Sequence, residues 1–125
     1  MIHLDTHVLV WLHKGKYNRF PKTMKHRINT EANVVSPMVI LELQYLFEIG
    51  RANKSGQEVI NRLQEQIELS VSNQTFHLAA LKATELSWTR DPFDRLIAAH
   101  AIVDNCPLLT ADEVLLKNCS QAIWE

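Results

Sequence analysis

An α/β fold, with a mostly parallel sheet and helices on both of its faces, is predicted by three observations. Short apolar runs of strand length alternate with longer amphipathic ones along the chain. Only three glycines and four prolines interrupt them, so no flexible linker, repeat or low-complexity tract divides the sequence. A chain of 125 residues, 46% hydrophobic and 22% charged, can bury one core and is too short for two ordinary domains. A single domain over residues 1–125 is expected. Strands separated by helices are βαβ units, whose crossovers leave neighbouring strands parallel.

The short apolar runs Ile2 to Leu4, Val34 to Val35, Leu69 to Val71, Leu108 to Leu109 and Ala122 to Trp124 are the expected strands. Between them, helical spacing covers Thr6 to His13, Pro21 to Glu31, Met38 to Gly50, Gly56 to Glu68, Thr75 to Ser87, Asp91 to Asn105 and Ala111 to Asn118. Start signals support several of these. Asp5 or Thr6 can cap the first helix, Asp91 before Pro92 is a good N-cap with proline at the first helical position, and Thr110 with Glu113 forms a T-x-x-E capping box.

Composition excludes several classes. The chain opens Met1-Ile2-His3-Leu4-Asp5 with no basic or apolar leader pattern, and its longest unbroken apolar run, Val8 to Leu12, is far below a membrane span. Cys106 and Cys119 have no C-x-x-C spacing, so reduced thiols in a cytoplasmic protein, with no membrane partner, are expected. The net charge of −1 is unevenly spread: no acid lies between Thr6 and Thr30, where Lys14, Lys16, Arg19, Lys22, Lys25 and Arg27 do. That segment is either a solvated face or a patch that meets phosphates.

In open parallel sheets, ligands bind outside the carboxyl ends of the strands. Asp5 immediately follows the first strand, and Asp112 follows the fourth after Thr110 and Ala111. Glu42 lies early in the helix after the second strand. The helix that begins at Asp91 runs into the fourth strand and is antiparallel to it, which returns Asp91 and Asp94 to the same end. Each aspartate has a structural alternative: Asp91 as N-cap, Asp94 at the third helical position where an acid suits the dipole, and Asp5 as a cap. The Thr110–Glu113 box leaves Asp112 without such a role. Glu42 falls among Met38, Tyr45, Leu46 and Ile49, away from a polar arc of Gln44, Glu48 and Arg51, and a carboxylate on an apolar face needs a partner. That partner is an arginine or a cation, and the other groups placed near it are acids. All-oxygen ligation suits Mg²⁺ or Mn²⁺. Carboxylate-held divalent ions hydrolyse phosphodiesters, and the basic segment would then hold the backbone.

At these residues the chain resembles the PIN-domain ribonucleases, in particular their toxin-type VapC branch. The matching stretches are "HLDTHVLVW" (His3 to Trp11), "SPMVILELQYLFEIGR" (Ser36 to Arg51), "RDPFDRLIAAHA" (Arg90 to Ala101) and "LLTADEVL" (Leu108 to Leu115), in family order across nearly the whole chain. The resemblance implies a three-layer α/β/α sandwich with a five-stranded sheet in the order 3-2-1-4-5. It also implies an Mg²⁺- or Mn²⁺-dependent endoribonuclease, usually a homodimer, silenced by a small antitoxin. By resemblance Asp5, Glu42, Asp94 and Asp112 are the catalytic metal-binding acids. Thr6 and Thr110 would position water or phosphate, and Asp91 belongs to a D-P-F-D-R variant with a supporting role. Other readings stand beside this one. A receiver-like Mg²⁺ domain needs paired acids after its first strand and a lysine after its last, whereas Asp5 stands alone and the last strand ends Trp124-Glu125. A zinc site from His3, Asp5 and His7 competes with His3 as a core histidine, and a non-catalytic or housekeeping RNA-binding protein would share the fold.

Overall fold

The computed structural model describes all 125 residues. In chain order the elements are β1 (Ile2–Leu4), α1 (Thr6–His13), a 3₁₀ turn (Tyr17–Arg19), α2 (Lys22–Thr30), β2 (Asn33–Val35), α3 (Pro37–Glu48), α4 (Gly56–Gln64), β3 (Leu69–Val71), α5 (Phe76–Ala83), α6 (Pro92–Val103), β4 (Leu108–Leu109), α7 (Glu113–Asn118) and β5 (Ala122–Ile123). The sheet order is β3-β2-β1-β4-β5 and every pairing is parallel, with Ile2 opposite Asn33, His3 opposite Leu108, Val34 opposite Ser70 and Leu109 opposite Ile123. The result is the expected three-layer α/β/α sandwich. Ile2, Leu4, Val8, Leu9, Ile97, Leu108, Leu109 and Leu115 are fully buried between sheet and helices, where full burial of such side chains contributes about 1.5–3 kcal/mol each. No helix is long and apolar enough to cross a membrane.

Several helices stop earlier than their apolar spacing suggests, for local reasons. The last turn of α4 tightens into i→i+3 bonds from Glu65 N to Arg62 O and Gln66 N to Leu63 O. Thr84 Oγ1 donates to the Leu81 carbonyl at 2.6 Å and competes with continuation of α5. Gly50, at φ +79°, gives the left-handed turn that ends α3. The free thiols of Cys106 and Cys119 are both buried.

The expected orientation of α3 requires correction. Its buried residues are Val39 and Leu43, while Leu41, Tyr45, Phe47 and Ile49 are exposed, and Gln44 turns inward to accept from Gly56 N at 3.1 Å. The helix is apolar nearly all round, so its wheel does not single out the face that meets the sheet.

Two histidines tie the layers together. His3 Nε2 lies 2.5 Å from Asp104 Oδ2, which also accepts from Ser72 Oγ at 3.1 Å. His100 Nδ1 lies 2.7 Å from Oγ of Ser36, the N-cap of α3. This bond links the two helices that carry Glu42 and Asp94.

Candidate active site

At the carboxyl edge of the sheet, Asp5 leaves β1 as the N-cap of α1 and is 5% exposed. Its Oδ1 accepts from Thr6 N at 2.8 Å and its Oδ2 from Thr110 Oγ1 at 2.7 Å, so the start of α1 and the loop after β4 together fix the carboxylate. Burial is the main force raising its pKa, against those hydrogen bonds. Thr6 Oγ1 in turn donates to Glu42 Oε1 at 2.5 Å. Burial, with the neighbouring charges of Asp5 and Asp91, raises Glu42 as well.

The partner of Glu42 is therefore a threonine hydroxyl rather than an arginine. Arg90 and Arg95, which flank Asp91 and Asp94 in sequence, are engaged elsewhere: Arg90 donates to the Ser87 carbonyl at 2.8 Å and Arg95 to the Thr89 carbonyl at 2.7 Å. No ion pair reaches Asp5, Glu42, Asp91, Asp94 or Asp112.

Asp91 is the N-cap of α6, accepting from Phe93 N at 2.9 Å. The capping box is not completed by Asp94, because the Asp91 N–H donates to Thr89 Oγ1 at 3.2 Å. Asp94 is left half-buried with no hydrogen-bond partner. Its pKa is pushed up to about 7, first by burial and then by the charges of Asp91, Asp5, Asp112 and Glu42. At β4 the expected box is replaced by another cap. Asp112 itself caps α7, its Oδ1 accepting from Val114 N at 2.9 Å and Leu115 N at 3.0 Å, while Thr110 accepts from Asp112 N at 3.0 Å. The Thr110 hydroxyl accepts from Asp112 N and donates to Asp5 at once.

The acids thus share one electrostatic neighbourhood, although no three of them stand close enough to hold a single ion. The Asp94 carboxyl and Asp112 Oδ2 are uncommitted to the fold. Oxygen-only donors, two of them fixed by threonines and one destabilised by its neighbours, fit a hard divalent cation. His3, which the zinc alternative needs, is committed to Asp104.

A pH dependence follows from Asp94. An acid whose folded pKa is about 7, against an ordinary 3.8, binds its proton more tightly in the folded state. Its contribution to stability is present below about pH 4 and is lost as pH rises to about 7. Metal-free protein should therefore show a falling Asp94 contribution across that interval, with Mg²⁺ restoring stability most at the alkaline end. Melts of wild type and Asp94→Asn at stepped pH check this, and an identical pH profile for the two would refute it.

The basic residues are not gathered into one patch. The Arg19 guanidinium lies 5.2 Å from the Trp11 ring centroid, beside the crevice. Lys25 borders an apolar cavity of about 320 Å³ between α1, α2 and α4, away from the acids. Arg27 is held by Glu31 at 2.6 Å, and Glu31 also lies 3.7 Å from the Met1 amino group, at the opposite end of β1 from Asp5. Lys16 and Lys22 are exposed, and Lys14 shares a surface depression with Arg51. Lys14, Lys54 and Arg62 all act electrostatically on His13, so tertiary structure adds cations that the linear run omits.

Sequence reasoning weighed His7 only as a zinc ligand and passed over Trp11 and Ala111 as crevice wall. A pocket of about 150 Å³ is lined by Asp5, His7, Trp11, Ala111 and Asp112. His7 and Trp11 are one helical turn apart on α1, the only signal by which they could have been paired.

A parallel α/β/α sandwich with an acid-lined crevice at the carboxyl ends of β1 and β4 defines the class. The chain belongs to the PIN domain family, whose model matches residues 2–119. Three solved structures are similar over the whole chain. They are VapBC2 from Rickettsia felis bound to a DNA fragment from its promoter (23% identity, TM-score 0.70, covering 100% of this chain and 98% of that one); DNA-bound VapBC from Salmonella typhimurium (20%, 0.68, 100% and 98%); and VapBC-1 from nontypeable Haemophilus influenzae (21%, 0.64, 100% and 97%). No curated protein matches the sequence.

Proposed function

We propose that this protein is a metal-dependent endoribonuclease, the toxin of a toxin–antitoxin pair. The observation that carries the reading is Asp94: an unbonded carboxyl, pushed up to about 7, facing the charges of Asp5, Glu42, Asp91 and Asp112 in a crevice with no neutralising ion pair. Family membership and the likeness to chains of VapBC structures support a nuclease of this kind with an antitoxin as partner.

Asp5, Glu42, Asp94 and Asp112 would hold Mg²⁺ or Mn²⁺, which when bound supplies an acidified water, an oriented phosphodiester and a neutralised leaving oxygen. Thr110 and the Thr6 N–H hold the Asp5 carboxylate in one orientation, and the Thr6 hydroxyl does the same for Glu42. Asp91 starts α6 and so sets where Asp94 stands. Overall, water adds to phosphorus, one P–O bond breaks, and the strand leaves with a phosphate on one fragment and a hydroxyl on the other. Lys14, Lys16, Arg19, Lys22 and Lys25 are the candidate phosphate contacts, reinforced by Arg51, Lys54 and Arg62, whereas Arg27 is engaged by Glu31.

A second copy of the chain is the proposed cover for the exposed apolar residues Leu41 and Tyr45 on α3 and Phe76 and Leu81 on α5, helices that both pack against α6.

RNA cleavage should require Mg²⁺ or Mn²⁺, stop on addition of EDTA and return with excess metal, as followed on a labelled RNA by gel. Undiminished cleavage in EDTA would overturn the metal dependence. RNA binding without cleavage at saturating Mg²⁺ and Mn²⁺ would favour a non-catalytic RNA-binding protein.

A further inference from the structure

We propose that the pocket between Trp11 and Asp112 seats a single nucleobase of the RNA strand, stacked on the Trp11 indole beside the acids. The inference rests on RNA being the ligand and adds to that reading the place and chemistry of a base contact. Three observations carry it. The pocket, about 150 Å³, is lined by Asp5, His7, Trp11, Ala111 and Asp112, so whatever fills it lies against two of the proposed metal-binding acids. A cavity of about that volume accommodates one six-membered ring. One wall is a stripe of α1, His7 and Trp11, with unsaturated rings at both positions.

The indole is held rigidly. Trp11 packs at 6.0 Å from Phe20 and 5.8 Å from Trp124, and those two meet at 5.5 Å edge to face. Phe20 is itself 5% exposed, which anchors the cluster in the core. A platform already ordered in the free protein loses little conformational freedom when a base stacks on it. Trp11 is only partly buried, although an indole at the start of a core cluster could have been covered completely.

The Arg19 guanidinium lies over one face of the ring, 5.2 Å from its centroid, with no acid paired to it, so it supplies a cation there and leaves the base the indole's other face. Aromatic surface with adjoining positive charge is the combination that holds single-stranded nucleic acid: bases stack and the backbone is neutralised. Ala111 and Asp112, which also line the pocket, contribute only short side chains to it. Every base has a face to offer the indole, and Arg19, seated on the same ring, joins the base contact to the phosphate contacts.

The experiment compares a labelled RNA tetranucleotide with an abasic phosphodiester of the same length, by fluorescence anisotropy in EDTA, so that nothing is cleaved. Wild type should bind the base-bearing strand about tenfold more tightly than the abasic one. Trp11→Phe, which retains a π face, should keep most of that preference. Trp11→Leu, which retains apolar volume to pack on Phe20 and Trp124, should abolish it while weakening the abasic strand no more than Arg19→Gln does, since only the seat of that guanidinium is lost there. A preference surviving in Trp11→Leu, an equal loss for both strands, or no preference in wild type would each overturn the proposal. Cleavage is scored separately with Mg²⁺. A Trp11-dependent preference without cleavage would retain the base seat and remove the nuclease, and cleavage without the preference would do the reverse.

Discussion

Asp94→Asn should fold as wild type does, melt at a higher temperature in metal-free buffer at pH 7 to 8, and cleave RNA about 100-fold more slowly or worse. The gain in stability comes from removing a charge that Asp91, Asp5, Asp112 and Glu42 all oppose. Wild-type Asp94 is substantially ionised at that pH because its pKa is about 7, so the relief is present there and fades as pH falls toward about 4 and the wild-type carboxyl takes up its proton. The loss of cleavage comes from the same removal, since a neutral amide is a poor ligand for a hard divalent ion. Mg²⁺ should accordingly raise the melting temperature of wild type more than that of the variant.

Asp91→Asn is the comparison that separates capping from chemistry. Asparagine caps as well as aspartate, so the bond to Phe93 N persists and the fold is retained. Its activity should exceed that of Asp94→Asn. Asp91→Ala removes the cap and should cost about 1 kcal/mol. Thermal melts with and without Mg²⁺, together with an RNA cleavage assay, read all three variants, and an active Asp94→Asn protein would remove Asp94 from the site.

The second large effect lies away from the chemistry. Gly56→Ala should lower stability by about 3 kcal/mol and the melting temperature by about 10 °C. Gly56 begins α4 where it crosses α3, and a Cβ there would stand 2.4 Å from the Ile40 carbonyl oxygen and 3.1 Å from Gln44 N. Both are backbone atoms of a packed helix, so no side-chain rotation relieves the clash and α4 must move off α3. The bond from Gly56 N to Gln44 Oε1 should weaken with that movement. Because α3 also carries Glu42, its bond to Thr6 is exposed to the shift, and cleavage should fall along with stability. A melting temperature within about 2 °C of wild type would show that the helices separate at little cost.

Much of this architecture was legible in residue order. The central β1 and the edge strand β3 coincide with their apolar runs, and β4 does so although it has only two residues. Asp91-Pro92 marked the start of α6, and the return of that helix to the carboxyl edge followed from connectivity alone. Helix ends were less legible, because α4 tightens and α5 is stopped by a threonine hydroxyl, and both events compete with an apolar spacing that runs on unchanged.

Sequence by itself determined what is local or periodic: the alternation that makes a parallel α/β sheet, the cap at Asp91, and the placing of acids after β1 and β4. These depend on neighbours within a turn or on chain direction, and they persist whatever packs beyond them. Tertiary structure decided what depends on two elements at once. A wheel could not choose the inward face of α3, since nearly every face is apolar and only the fit against the sheet and α4 selects Val39 and Leu43. Nor could spacing show that Thr6 would hold Glu42 and Thr110 would hold Asp5, leaving Asp112 to cap α7. A hydroxyl has several acceptors within its reach in sequence, and the bond it makes goes to the one that packing brings to within about 3 Å.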